Sequence, residues 1–244
     1  MQCLILAGGL GTRLYPATHS VPKCLIEVAG RPFAAWQLDW LAGQGVRRVV
    51  YSVGHLGAMV PAALGDGSAW DLELTYVDEG EDRLGTGGAV RLAVEQGSVE
   101  DAFFVLYGDS FLSIDLGDVE RDFIRRHPDA LMTVFRNQGR FDASNAVLAG
   151  GMVTRYEKGL SPPPPDMEYV DYGLSVLRRA VVLETVPGGP SDLADALGVL
   201  SRAGRLAGYE ATERFYEIGS PAGLAALEAR LAGSAAADEA HRRR

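Results

Sequence analysis

Four short apolar runs, at residues 3–7, 49–53, 103–107 and 131–135, are each the length of a buried strand, and segments of helical period separate them. A strand that is apolar throughout must be covered on both faces, and strands separated by helices are joined by crossovers. The expected fold is therefore α/β, a mostly parallel sheet with helices on both sides. Between the first two runs, Pro32 opens a helical stretch to Leu41 that stops near Gly43 and Gly45. Its Phe33, Trp36, Trp40 and Leu41 recur at helical spacing and are expected in the core. Further helices are expected over 56–64, 89–96 and 119–127.

The pattern changes after residue 140. Shorter β-like pieces at 145–148, 152–156 and 169–177 flank Ser161-Pro162-Pro163-Pro164-Pro165, whose prolines favour extended polyproline II over a ladder. Helices return over 193–203, with Ser191 as candidate N-cap, and over 223–231 behind Ser220-Pro221; residues 215–218 form a short strand between them. With no repeat and no linker, one domain is expected over 1–232. The Ala-rich segment 233–244 is expected to be a flexible tail.

A chain of 244 residues that is 47% apolar can bury a sizeable core, and its formal net charge of −9 repels phosphate backbones, so nucleic acid is not an expected partner. No apolar run approaches the roughly 20 residues of a membrane span. Cys3 and Cys24 cannot form a disulfide framework, and Met1-Gln2 leads directly into a strand without a basic leader, so a reduced, cytoplasmic protein is expected. Glycine is the anomaly. The 30 residues exceed the roughly 17 of average usage, so many loops need close backbone approach or positive φ.

The first strand runs into Gly8-Gly9-Leu10-Gly11-Thr12-Arg13-Leu14, followed by Pro22-Lys23. A glycine turn at the carboxyl end of such a strand lets backbone amides reach a phosphate. The dinucleotide fingerprint would need a third glycine where Leu14 stands, and a P-loop would need Gly-Lys-Ser/Thr, so neither applies. What the loop carries instead is Arg13 and, ten residues on, Lys23, both suited to polyanionic oxygens.

Residues 6–14 with Pro22-Lys23 closely resemble the signature of the sugar-nucleotide pyrophosphorylases, the nucleotidyltransferases that activate sugar 1-phosphates. The resemblance continues through Pro32, Leu84-Gly85-Thr86-Gly87-Gly88-Ala89, Gly108-Asp109, Glu157-Lys158-Gly159 and Ile218-Gly219-Ser220-Pro221, about residues 1 to 230. Within the family, Leu84-Gly85-Thr86-Gly87-Gly88 and Asn145-Ala146-Val147 look most like the heptose and mannose 1-phosphate guanylyltransferases. The resemblance implies a Rossmann-like three-layer sandwich, with a nucleotide-binding part over about 1–135 and a sugar-phosphate-binding part over about 136–232. It also implies transfer of a nucleoside monophosphate, from GTP in the favoured reading, to a heptose or hexose 1-phosphate. UTP or dTTP is the alternative donor. The oligomeric state stays open, a homodimer being the arrangement to test.

The same resemblance implies site residues. Leu6, Ala7, Gly8, Gly9, Gly11, Thr12 and Arg13 would hold the nucleotide, with Thr86, Gly87 and Gly88 closing the other side; the last two equally suit a tight helix start. Arg13 would clamp the departing pyrophosphate, Lys23 would neutralise charge near the α-phosphate, and Asp109 would hold Mg²⁺. The second metal carboxylate falls on Glu217, where the family usually has Asp, and glutamate is also a hard oxygen donor. Lys158 would hold the sugar phosphate, Glu157 the sugar hydroxyls, and Asn145, Tyr172 and Gly173 would line the sugar pocket; Tyr172 equally suits a half-buried strand position. For guanine, whose N1–H and N2–H are donors, Glu79 or the backbone around Leu84 and Gly85 would be acceptors. A glycosyltransferase would want an Asp-x-Asp pair, which Asp109-Ser110-Phe111 lacks, and a non-catalytic sensor would be expected to have lost Arg13, Lys23 or Asp109.

Overall fold

In the computed structural model, which describes residues 1–80 and 83–242, the apolar runs become the centre of a nine-stranded sheet. β1 (Gln2–Leu6) is followed by the two-residue hairpin strands β2 (Glu27–Val28) and β3 (Arg31–Pro32), then α1 (Phe33–Gly43) and β4 (Arg48–Val53). The chain continues through α2 (Met59–Leu64), β5 (Glu73–Asp78), α3 (Gly85–Glu95), β6 (Ala102–Tyr107), the short β7 (Ser110–Phe111), α4 (Leu116–Arg126) and β8 (Ala130–Arg136). Beyond residue 140 come β9 (Ala146–Ala149), β10 (Met152–Tyr156), β11 (Tyr169–Arg178), α5 (Arg179–Thr185), α6 (Leu193–Arg202), β12 (Leu206–Ala211), β13 (Tyr216–Glu217) and α7 (Pro221–Arg242).

The sheet order is β5-β4-β1-β6-β11-β8-β12-β10-β9. From β5 to β6 all pairings are parallel. There the polarity breaks: β11 is antiparallel to both β6 and β8, β12 is parallel to β8, and β10 is antiparallel to β12 and β9. The sheet is thus mixed, which corrects the expectation of a mostly parallel one. The reason is local: β9 and β10 are joined by Gly150-Gly151, both at positive φ, so the chain turns back as a hairpin instead of crossing over through a helix.

Alternation along the strands divides the core into two layers. Cys3, Ile5, Phe104 and Leu106 face α1, α2 and α4 through Leu38, Leu41, Val60, Val119 and Phe123. Leu4, Phe103 and Val105 face α3, α5 and α6 through Val90, Val94, Val182, Leu193 and Leu197. Three layers result. A third cluster, with Phe33, Val28, Ile218, Leu227 and Leu231, seats α7 on the β2 and β13 region. Phe33 and Leu41 are fully buried, while Trp36 and Trp40 are partly buried against these clusters.

Two helix ends differ from expectation. Asp192, not Ser191, caps α6, its carboxylate accepting from the Ala194 amide. The backbone of α7 continues to Arg242, through most of the expected tail, as the alanine content of that stretch favours; residues 243–244 lie outside those described. Among the described residues no helix is long and apolar enough to cross a membrane.

Candidate active site at the carboxyl edge of the sheet

A cleft of about 710 Å³ opens at the carboxyl ends of β1, β4 and β6, lined by residues 6–13, Lys23, Glu79, Arg83, Gly85, Thr86, Tyr107, Asp109 and Gly219 among others. Gly11, at φ 63°, turns the loop into a short 3-10 segment, Thr12–Leu14, that carries Arg13. A further such segment, Lys23–Leu25, presents Lys23, whose Nζ donates to Asp109 Oδ2 at 2.6 Å. Cys24 beside it is buried, and burial pushes its thiol up to about 12, so it packs as a small apolar residue.

Asp109 lies in the turn between β6 and β7. The Gly108 amide donates to Leu6 O at 2.9 Å, and Asp109 O accepts from the Ile218 amide at 2.9 Å. Pairing of β7 with β13 then sets Glu217 opposite Ser110. The Glu217 carboxylate accepts from the Gly219 amide at 2.6 Å and from the Ser220 hydroxyl at 2.9 Å. A Cβ on Gly219 would overlap Glu217 Oε2 and stand 3.0 Å from Arg13 Nη2 and 3.1 Å from Lys23 Nζ. With no side chain at Gly219, these three side-chain ends converge on one point. Among the described residues no group of three or more His, Cys, Asp or Glu gathers as a metal cage. Asp109, in the turn before β7, and Glu217, on the strand paired with β7, nevertheless offer hard oxygens, a donor set that fits Mg²⁺ when phosphate and water oxygens complete the octahedron.

At the other end of the cleft, Glu79 lies so close to the glycine loop that a Cβ on Gly8 would overlap its carboxylate. Its Oε1 accepts from the Ser52 hydroxyl at 3.0 Å. Burial raises its carboxyl above the ordinary glutamate value, partly offset by the Ser52 hydrogen bond.

A polar network flanks the cleft where β11 meets β6. Lys158 Nζ donates to the Tyr107 hydroxyl at 3.3 Å and lies 4.0 Å from Asp171 Oδ2. That carboxylate also accepts from the Tyr156 hydroxyl at 2.8 Å and from the Gly173 amide at 3.0 Å. Asn145 Oδ1 accepts from the Asp171 amide, and Glu157 is exposed with Arg155 as its partner.

Three expected residues do not meet this surface. Tyr172 is fully buried against Phe135 and Phe215, and its hydroxyl donates to Ser113 O and accepts from the Ser113 amide, so it is a core residue and not a sugar contact. Gly87 and Gly88 are buried under the loop between α5 and α6. Both amides point to Ser191 O, and a Cβ would meet Ser191 Oγ at 2.7 Å from Gly87 and Gly189 O at 2.6 Å from Gly88. The space a Cβ would take at those glycines is thus filled by Ser191 and Gly189 of this chain. Thr86 remains on the cleft and donates to Asp192 Oδ1 at 2.7 Å.

Residues 2–145 match the family described as Nucleotidyl transferase. The chain belongs to that family. It is 32% identical over 209 residues to a glucose-1-phosphate thymidylyltransferase of Streptomyces griseus, covering 84% of this chain and 58% of that one. It is also 32% identical over 193 residues to a mannose-1-phosphate guanylyltransferase of Mycobacterium tuberculosis, covering 78% and 52%. The chain thus spans about half the length of these relatives. In fold it is similar to HddC from Yersinia pseudotuberculosis, at TM-score 0.78 and 22% identity over 94% of this chain and 99% of that one.

Within this family member the sequence does not point to Tyr107, Asp171, Asp192 or Arg83. Tyr107 and Asp171 lie in strands that read as core, and only the reversal of β11 brings Asp171 to the cleft edge. Asp192 directly follows Ser191, the cap the sequence favours.

Proposed function

We propose that the protein transfers a nucleoside monophosphate from a nucleoside triphosphate to a sugar 1-phosphate. A phosphate oxygen of the sugar 1-phosphate bonds to the α-phosphorus, the bond from that phosphorus to the bridging oxygen breaks, and pyrophosphate leaves with its electron pair. The convergence of Arg13, Lys23, Asp109 and Glu217 around Gly219, at the end of a glycine-lined cleft, carries this reading.

The nucleophile is already ionised at neutral pH, so positioning and charge neutralisation are what the protein must provide. Arg13 offers a two-pronged contact to the leaving pyrophosphate, and Lys23 a point charge near the α-phosphate. Asp109 and Glu217 would hold a divalent ion, which supplies further neutralisation of phosphate charge. Lys158, propped on Tyr107, receives the sugar phosphate, and Asn145 and Glu157 lie on the side where sugar hydroxyls would be read.

GTP is the favoured donor, and Glu79 now supports that choice in place of Gly87 and Gly88. Its carboxylate lines the cleft with Oε1 already accepting from Ser52, and its remaining acceptor capacity would suit the N1–H and N2–H donors of guanine. Pyrophosphate release measured for five nucleoside triphosphates against a panel of sugar 1-phosphates tests both levels. Turnover fastest with GTP is expected; a pyrimidine nucleotide with higher kcat/KM overturns the base, and no release with any pair overturns the reaction.

A further inference from the structure

We infer that Gln37 is a positioning residue for Asp109, an inference that rests on the proposed role of Asp109 in holding a divalent ion. Gln37 is a polar side chain, fully buried, on the otherwise apolar buried face of α1, among Phe33, Ala34, Leu38 and Leu41. Its Nε2 donates to Tyr107 O at 3.1 Å and to Ser110 O at 2.8 Å. Those two carbonyls bracket Gly108 and Asp109, so one carboxamide ties both ends of the turn to α1. Two carbonyl acceptors also fix which end of the amide is nitrogen.

The arrangement carries a cost that packing alone would not incur. Gln37 Oε1 is buried and finds no donor among the described residues, and an unsatisfied buried acceptor destabilises a fold. A leucine or methionine would fill the same space without it. What the glutamine adds is directional: it ties the turn to α1, beside the backbone bonds to Leu6 O and from the Ile218 amide and the Lys23 ion pair on the Asp109 side chain. The Ile218 bond leads into Glu217 through the β7–β13 pairing, so Gln37 governs where one carboxylate stands relative to the other.

Gln37→Met keeps the volume and removes both bonds; Gln37→Glu keeps the shape but needs a proton to donate to even one carbonyl. In Gln37→Met the Mg²⁺ concentration for half-maximal turnover is expected to rise about tenfold, as when a group supporting a metal ligand is removed, with the KM for each substrate nearly unchanged. Mn²⁺ binding, followed by the EPR signal of the free ion without substrates, should weaken in parallel. Gln37→Glu should regain activity relative to wild type as the pH is lowered. Wild-type metal dependence and Mn²⁺ affinity in folded Gln37→Met overturn the inference; should that variant not fold, a wild-type pH profile in Gln37→Glu does so. An inactive wild-type protein instead overturns the proposed reaction, and the Mn²⁺ comparison still decides the role of Gln37.

Discussion

Lys23 Nζ and Asp109 Oδ2, 86 positions apart in sequence, form a 2.6 Å ion pair in the floor of the cleft. Asp109→Asn keeps the shape and removes the charge that Lys23 faces. Steady-state assays should show kcat lower by about 10²–10³-fold, the scale of losing one preorganised electrostatic partner, with the circular dichroism spectrum unchanged. Full pyrophosphate release in excess chelator would contradict the assigned role.

Arg13→Lys conserves charge but not the planar fork, so about a 100-fold fall in kcat is expected, like the loss of one oriented donor to developing charge. Lys158→Ala should instead raise the KM for the sugar phosphate more than that for the nucleotide. If both variants moved only the nucleotide KM, the division of the cleft into two sides would be wrong.

Glu79→Gln replaces one acceptor oxygen with an N–H donor. Discrimination of GTP over UTP or dTTP should drop about tenfold or more, within the range for one bidentate base contact. The pH dependence follows from the same group. Burial raises its carboxyl, so as pH falls through that raised value the ionised acceptor is lost and the KM for GTP rises; Glu79→Gln should flatten this limb. For stability the sign is opposite. The folded state holds the proton more tightly, so this group's contribution falls as pH rises from the ordinary glutamate value through the raised one.

Gly88→Ala should cost stability without changing base preference, because the added methyl would meet Gly189 O at 2.6 Å; overpacking of this kind costs about 1–3 kcal/mol. Tyr172→Phe should leave turnover intact and lower stability by about 1 kcal/mol, the net worth of a buried hydroxyl's hydrogen bonding. Denaturant titration beside nucleotide competition reads both. A changed base preference in Gly88→Ala would return that glycine to the nucleotide pocket.

What was legible in the sequence follows from how local its cause is. β1, β4, β6 and β8 announce themselves because strands covered on both faces carry near-continuous apolar runs. β5, at the sheet edge, reads Glu-Leu-Thr-Tyr-Val-Asp and went unrecognised, since an edge strand needs only part of its residues buried. β12 was hidden by Gly208 and Glu210 within Leu-Ala-Gly-Tyr-Glu-Ala. Likewise, the glycine loop, Lys23 and Asp109 sit in short patterns tied to strand ends. The misplacement of Gly87 and Gly88 has another origin: sequence shows that a Cβ is excluded but not by what, and the excluding atoms lie about a hundred residues away at Ser191 and Gly189.

The position of β11 has a consequence for how the chain reaches its native state. Among the described residues β8 pairs with β11 and β12 alone, and β11 also closes the open side of β6. A nascent chain that has emerged only as far as residue 135 therefore holds two strands with no shared seam, each offering unpaired amides and carbonyls to any passing strand. Closure waits for residues 169–178, a long-range pairing that is slow to find. A fragment cut at 135, or at 145 where the family match ends, is thus expected to aggregate when expressed alone and to become soluble only when the remainder of the chain is supplied.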